Sequence, residues 1–342
     1  MLAAVYHGPK DIRVEEVADK KIKDDEVLIK VHYAGVCGTD IHIYNGDGGS
    51  FETVPPLIPG HEFSGEIVEV GKAVRKDLKV GDRVSADPNV MCGECYFCRN
   101  EMEHFCTDNI GIGTTADGGF AEYVAMSASH VFRIPDSLDY LTAAMTEPMS
   151  CCLHGIDLCN IKAGGTVLVQ GGGPIGIIML QLAKYAGASK VYLSEPVEEK
   201  RKLAMKLGAD GTVDPIHEDV EAFLRSHTEN VDCVIECVGN THVEEDAIRF
   251  AGKGATVMFF GLCGPDESIS VKPDVIFKKE LKITSSFINP YTFERAIAVL
   301  ASGRIDVKSI ITTILPLEDM VKVFEDPELR RAGKAVIKIA DR

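Results

Sequence analysis

No stretch of the chain reaches the roughly 18 unbroken apolar residues that a membrane-spanning helix needs. The nearest approach, residues 166–186, is broken by Gln170, four glycines, Gln181 and Lys184. The opening residues, MLAAVYHGPKDIRVEEV, lack a basic stretch followed by an apolar core, so no secretory signal is read there. Positive charge is scarce. Lys and Arg number 36 against 52 Asp and Glu, a formal net charge of −16. So acidic a chain is unsuited to nucleic acid or an anionic membrane surface. Internal repeats and low-complexity tracts are absent too. With 45% hydrophobic and 26% charged residues, long disorder is excluded. A length of 342 residues suits two domains better than one core.

Two sequence textures divide the chain. Residues 1–150 carry short β-type runs, EVLIKVHYAGV (26–36), SGEIVEVG (64–71) and GDRVSAD (81–87), between Gly and Asp turns. Prolines 55, 56 and 59 and the NGDGG at 45–49 predict a long surface loop. Many short strands of this kind predict a distorted β-barrel. Residues 151–289 alternate instead. Strand-like runs at 166–170, 190–194, 211–214, 231–237, 255–261 and 281–286 enclose helix patterns at 174–187, 197–208, 217–227 and 242–251. That alternation predicts an α/β class with a doubly wound, six-stranded parallel sheet. After Pro290, FERAIAVLASGRI reads as a further helix, and residues 290–342 are expected to return to the first domain.

Eleven cysteines make an odd number, and four crowd together. Cys92, Cys95, Cys98 and Cys106 form C-x2-C-x2-C-x7-C in a loop-like segment. Four thiolates at such spacing surround one Zn2+ tetrahedrally and leave no open position, so the site is structural. An iron–sulfur cluster uses the same ligand type, but the spacing favours zinc. Reduced, clustered thiols point to a cytoplasmic protein.

TVLVQ runs directly into Gly171-Gly172-Gly173-Pro174-Ile175-Gly176 and then a helix pattern, which is G-x-G-x-x-G in strand–turn–helix context. Gly171 allows the tight turn, Gly173 lets a pyrophosphate approach, and Gly176 lets helix and strand pack. Pro174 and Ile175 open the helix whose free N–H groups face the phosphates. Glu195 stands 19 residues after Gly176, at the end of the next strand. A carboxylate there accepts the adenosine ribose hydroxyls and repels a 2′-phosphate, which favours NAD; it also suits a solvated helix start. Lys200 and Arg201 follow. One covers the adenine face, or both only decorate the next helix.

Three further segments complete a pattern: Gly35-Val36-Cys37-Gly38-Thr39-Asp40-Ile41-His42, Pro59-Gly60-His61-Glu62, and Glu147-Pro148. Together with the four-cysteine lobe and the glycine turn, in this order, the chain resembles the zinc-dependent medium-chain dehydrogenases over essentially its whole length. Within them, His61-Glu62 and Glu147-Pro148 resemble the sorbitol and polyol dehydrogenase branch. The resemblance implies a GroES-like catalytic barrel and a Rossmann domain, with the active site in the cleft. It implies two zinc ions, NAD, a small-molecule alcohol substrate, and a homotetramer or homodimer. It also implies that Cys37, His61 and Glu62 bind the catalytic zinc, with Glu147 binding directly or through the metal's water. Such a set with an open position is catalytic. Thr39 would take the alcohol proton and His42 relay it, although Thr39 also suits a helix cap and His42 an ordinary polar residue. Asp40 would fix the local backbone or support His61. Val238, Gly239, Gly261, Leu262, Ser286, Phe287 and Ile288 match segments that wrap the nicotinamide half.

The chain departs from the animal sorbitol dehydrogenases that it resembles at Ile288 and Asn289, where those carry Arg-Tyr, and at Ile43, where they carry a substrate-facing Tyr. The resemblance therefore points to another polyol or sugar derivative. A polyol-phosphate dehydrogenase would need a basic pocket mouth. The threonine dehydrogenases share the Cys37–His42 segment but carry Glu-Pro-Leu-Gly where this chain has Glu147-Pro148-Met149-Ser150. A non-catalytic NAD sensor would shed metal ligands or relay, whereas Cys37, Thr39, His42, His61, Glu62 and Glu147 are all present. The apolar run 255–261 is expected at the sheet edge, where it would pair with a second subunit. If the four cysteines hold a structural ion, Cys95→Ser lowers both the melting temperature and the zinc content; unchanged values in a thermal melt and a metal assay would show the assignment wrong.

Overall fold

The computed structural model describes residues 1–47, 52–75 and 77–339. Part of the 45–49 loop therefore lies outside the described residues. Two compact units result. One comprises Met1–Met149, Phe293–Gly303 and Ile311–Arg342, the other Ser150–Thr292 and Arg304–Ile310.

Strand Glu26–Gly35 is the spine of the first unit. Its residues alternate, with Val27, Ile29 and Val31 fully buried, the period of a sheet with one apolar face. It pairs antiparallel with Glu62–Val70 and Lys334–Lys338, and with Tyr123–Ser127. The seven-stranded sheet runs Ile311–Pro316, Lys334–Lys338, Glu26–Gly35, Glu62–Val70, Arg83–Ala86, Val131–Arg133, with Tyr123–Ser127 to the side. Ile29, Phe63, Ile67, Phe120 and Met126 fill its core. Each contributes about 1.5–3 kcal/mol by leaving water. This is the expected barrel-type unit, and its site residues project from the strand ends.

In the second unit six parallel strands lie in the order Gly211–Val213, Lys190–Ser194, Thr166–Gln170, Cys233–Glu236, Thr256–Phe259, Lys282–Ser285. That is the doubly wound order 3-2-1-4-5-6, with its switch point between the third and fourth strands along the sheet. Thr166–Gln170 is buried throughout, as a central parallel strand must be. Helices Pro174–Tyr185, Glu198–Lys206 and Val220–His227 fall within the expected patterns, and Thr241–Phe250 begins one residue before its own. A fifth, Pro273–Lys279, was not expected; it is two turns long with Pro at its first position, too short for its periodicity to register.

Two expectations change. Residues 255–261 do not form the edge, because Thr256–Phe259 pairs on both sides. The edge is Lys282–Ser285, a more polar strand. The return of the chain after 290 is also interrupted: 304–310 sits with the second unit. Buried Gln181 explains why, since its side chain accepts from Asp306 N at 2.8 Å and donates to Asp306 O at 3.1 Å. Among the described residues no helix is long and apolar enough to cross a membrane.

Candidate metal centres and cofactor site

The metal cluster of the first unit begins at the end of Glu26–Gly35. The chain turns into helix Gly38–Asn45, with Cys37 at its N-cap. Asp40 accepts the Cys37 N–H at 2.8 Å and thereby fixes the turn. Thr39 is thus inside the first helical turn and does not cap it. Next door, strand Glu62–Val70 opens immediately after His61. One ligand atom each from Cys37, His61 and Glu62 lies within 4.8 Å of the others. Buried His61 places Nδ1 3.5 Å from Asp40 Oδ1, the kind of outer carboxylate that orients a ligating imidazole. Burial alone would lower the His61 pKa, but the Asp40 carboxylate and the Cys37 thiol outweigh it and hold it well above its ordinary value.

Lys334 is the residue that sequence reasoning missed. Its Nζ donates to Glu62 Oε1 at 2.6 Å and lies 2.5 Å from Oε2, with both side chains almost wholly buried. Burial pulls the ammonium pKa down, but Glu62, Cys37 and Glu147 outweigh it and leave it above its ordinary value. Gly35 makes the pairing feasible: a Cβ there would overlap Glu62 Oε2 and sit 3.1 Å from Lys334 Cε. No local pattern betrays Lys334, which lies 272 residues from its partner.

These residues fit a zinc ion. His61 Nδ1 and Asp40 Oδ1 are buried without a hydrogen-bond partner. Nitrogen, sulfur and carboxylate donors suit Zn2+. Lys334 answers only part of the negative charge that Cys37, Asp40, Glu62 and Glu147 can carry, and a dication offsets most of what is left. Half-buried Glu147 sits in the first turn of helix Thr146–Cys159; the three-donor group closes without it. His42 is exposed, its Nδ1 3.8 Å from Asp47.

All four lobe cysteines come together. Cys92 Sγ is 3.9 Å from Cys98 Sγ and 3.5 Å from Cys106 Sγ. A Zn–S bond of about 2.3 Å gives a tetrahedral edge of about 3.8 Å, so these sulfurs are spaced for zinc. Backbone N–H groups of Cys98 and Thr107 pull the Cys95 thiol down to about 6, while burial and the bond to Cys95 push Cys98 up to about 12. Four thiolates so close need a cation to coexist.

In the second unit Gly171 takes φ +95°, and a Cβ on Gly176 would overlap Gly171 O. Gly173, by contrast, has open space where its Cβ would be. It is the N-cap of Pro174–Tyr185 and offers no side-chain cap, so the helix N–H groups stand free beside half-buried Pro174 and Ile175. Glu195 is buried and accepts from Gly172 N at 2.6 Å and Val197 N at 2.8 Å. Arg201 is engaged by Asp214 at 3.2 Å and by the carbonyls of Glu195 and Pro196. Lys200 lies half-buried on Glu198–Lys206. Val238-Gly239 and Gly261-Leu262 meet: a Cβ on Gly239 would be 2.6 Å from Leu262 O. Ser286 and Phe287 are half-buried, and Ile288 adopts φ 47°, a strained value for a β-branched residue. This open, uncapped turn fits a dinucleotide.

Comparison with known proteins agrees. Residues 23–136 match the alcohol dehydrogenase GroES-like domain, and residues 174–302 match the zinc-binding dehydrogenase domain. D-arabinitol dehydrogenase 1 of Uromyces fabae is 34% identical over 99% of this chain and 97% of its own. D-arabitol-phosphate dehydrogenase of Enterococcus avium is 36% identical over 88% and 86%. A zinc-binding dehydrogenase of Sinorhizobium meliloti 1021, solved with NADP, superposes at TM-score 0.94 with 38% identity, covering 98% of each chain. A dehydrogenase of Escherichia coli CFT073 with NADH gives 0.92 at 28% identity, covering 99% of each. The chain belongs to the zinc-dependent medium-chain dehydrogenases, of polyol type. It is a zinc-dependent alcohol oxidoreductase that works with a nicotinamide dinucleotide on a small-molecule alcohol.

Lys334→Met strands a buried carboxylate and is expected to cost about 3–5 kcal/mol of stability. Removing both charges, in Lys334→Met with Glu62→Leu, restores most of it. Chemical denaturation reads both; a single variant as stable as wild type would refute the account.

Proposed function

We propose that the protein oxidises a secondary alcohol of a polyol or sugar derivative with NAD. The observation that carries this is the three-donor group of Cys37, His61 and Glu62, which has room for a substrate oxygen as the lobe does not. In this reading these three hold the catalytic zinc, Glu147 binds directly or through water, and Cys92, Cys95, Cys98 and Cys106 hold the structural ion. Zinc, when bound, acts as a Lewis acid that lowers the pKa of the substrate hydroxyl, and NAD accepts the hydride. Thr39, its Oγ1 3.9 Å from Cys37 Sγ, accepts the hydroxyl proton as it gives up its own to the relay, and so stays neutral. His42, one turn further on the same helix and exposed, passes it to water.

Gly171, Gly173, Pro174, Ile175 and Gly176 cradle the pyrophosphate, and Lys200 lies on the adenine side. Glu195 accepts the ribose hydroxyls. A 2′-phosphate would face its carboxylate, and Arg201 is already engaged by Asp214, which supports NAD over NADP. Val238, Gly239, Gly261, Leu262, Ser286, Phe287 and Ile288 flank the nicotinamide half. The likeness to D-arabitol-phosphate dehydrogenase favours a phosphorylated polyol as the second reading. The residue groups also support the domain division at about residue 150, and a reduced four-thiolate lobe supports the cytoplasm.

A homo-oligomer, dimer or tetramer, belongs to the same proposal. Edge strand Lys282–Ser285 pairs on one side among the described residues, with Ile283 40% exposed and Phe277 85% exposed nearby in sequence. Sedimentation equilibrium is expected to find two or four chains; a monomer would overturn this. For the reaction, NADH formation is measured with free polyols, polyol phosphates, threonine and butanediol, each with NAD and NADP. Turnover is expected with a polyol or its phosphate and NAD. Turnover confined to threonine or butanediol, or a preference for NADP, refutes the corresponding part.

A further inference from the structure

Glu236 ends the central strand Cys233–Glu236 with its side chain fully buried, and the proposed chemistry makes no use of it. Its Oε1 accepts the N–H of Val238 at 2.6 Å and of Gly239 at 2.9 Å. Its own backbone carbonyl accepts the N–H of Phe260 at 2.9 Å and of Gly261 at 3.1 Å. One residue thus holds amides of two separate turns.

Those turns leave little freedom for each other. A Cβ on Gly261 would overlap Gly239 N and lie 2.6 Å from Glu236 Oε2. Gly239 itself takes φ +72°, which glycine adopts without strain. Beyond the glycines the two turns display Val238, 51% exposed, and Leu262, 68% exposed. Both follow the carboxyl ends of adjacent parallel strands, the edge where such sheets bind ligands. Glu236 Oε2 is buried with no hydrogen-bond partner, so the side chain is held by its grip on Val238 and Gly239.

We infer that Glu236 is a positioning residue for the nicotinamide end of the cofactor: its carboxylate sets the turn that aims Val238, against the Gly261-Leu262 turn, at the ring. This rests on the reading of these turns as the nicotinamide half. Loss of the side chain frees two amides and lets the 238–239 turn drift, while the glycine turn at 171–176 and Glu195 keep their own partners. Binding of the nicotinamide end weakens and binding of the adenosine end does not.

The test compares two probes on the zinc-loaded protein by calorimetry, NADH and ADP-ribose, the second lacking the nicotinamide. Glu236→Ala is expected to raise the NADH Kd about tenfold, the scale of one or two lost net hydrogen bonds, with the ADP-ribose Kd within about twofold. Glu236→Gln retains an acceptor of the same reach and is expected to restore NADH binding to within about threefold. If Glu236→Ala fails to fold, Glu236→Met replaces it, since that side chain fills the space but has no oxygen to accept either amide. Equal weakening of both probes, or no weakening of NADH, overturns the inference. Failure of the wild-type protein to bind ADP-ribose overturns the cofactor-site reading itself, and the inference with it.

Discussion

The buried ion pair between Lys334 and Glu62 is the constraint on which the metal centre depends. A site built to hold a dication must first hold the negative groups that bind it. Asp40 and Glu62 are buried beside half-buried Cys37 and Glu147, and a buried anion is unfavourable alone. The sheet supplies the answer through its register. Val336 faces Gly35, and Gly35 faces Glu62. Two residues further along the same antiparallel pairing, Lys334 arrives beside Cys37 and Glu62. Gly35, without a side chain, leaves the passage through which ammonium and carboxylate meet.

The two metal-binding groups solve opposite problems with similar ligands. In the lobe, four sulfurs crowd one another and backbone N–H groups turn inward on them, so nothing is left for a substrate. Around Cys37 the donors are unlike one another and come from a helix cap and the start of a strand. In the proposed reaction, that asymmetry is what leaves a position for the substrate oxygen. On the second unit a comparable division holds. The glycine turn is defined by what is missing, namely side chains and a helix cap, while Glu195 and Glu236 are defined by the backbone amides they collect.

Much of this was legible beforehand, for physical reasons. Central parallel strands are buried on both faces and read as apolar runs, so 166–170 and 190–194 match strand for strand. The same reasoning misplaced the sheet edge. An apolar run marks the interior, and the true edge carries Lys282, Thr284 and Ser285. The four lobe cysteines were legible because ligand chemistry restricts residue type and local spacing, whereas Cys37, His61 and Glu62, distant in sequence, came only through the resemblance of their segments to a known family. Lys334 and Glu236 carry no such restriction: any strand may hold a lone Lys or Glu, and only long-range pairing or a turn's amides give them meaning. Helix Pro273–Lys279 escaped because two turns hold too few residues to show a period.

The pairing of Glu62 with a residue 272 positions later also dictates an order of events during synthesis. At about 5–20 residues per second, roughly 15–55 seconds separate the two on the ribosome. Throughout that interval Glu62 has no ammonium to meet, so its carboxylate keeps its water and the neighbouring strand stays unsealed. Residues 150–292, all emerging in between, form an almost continuous unit that needs nothing from the last strand. The second unit can therefore assemble before Lys334–Lys338 arrives to take its place in the sheet of the first.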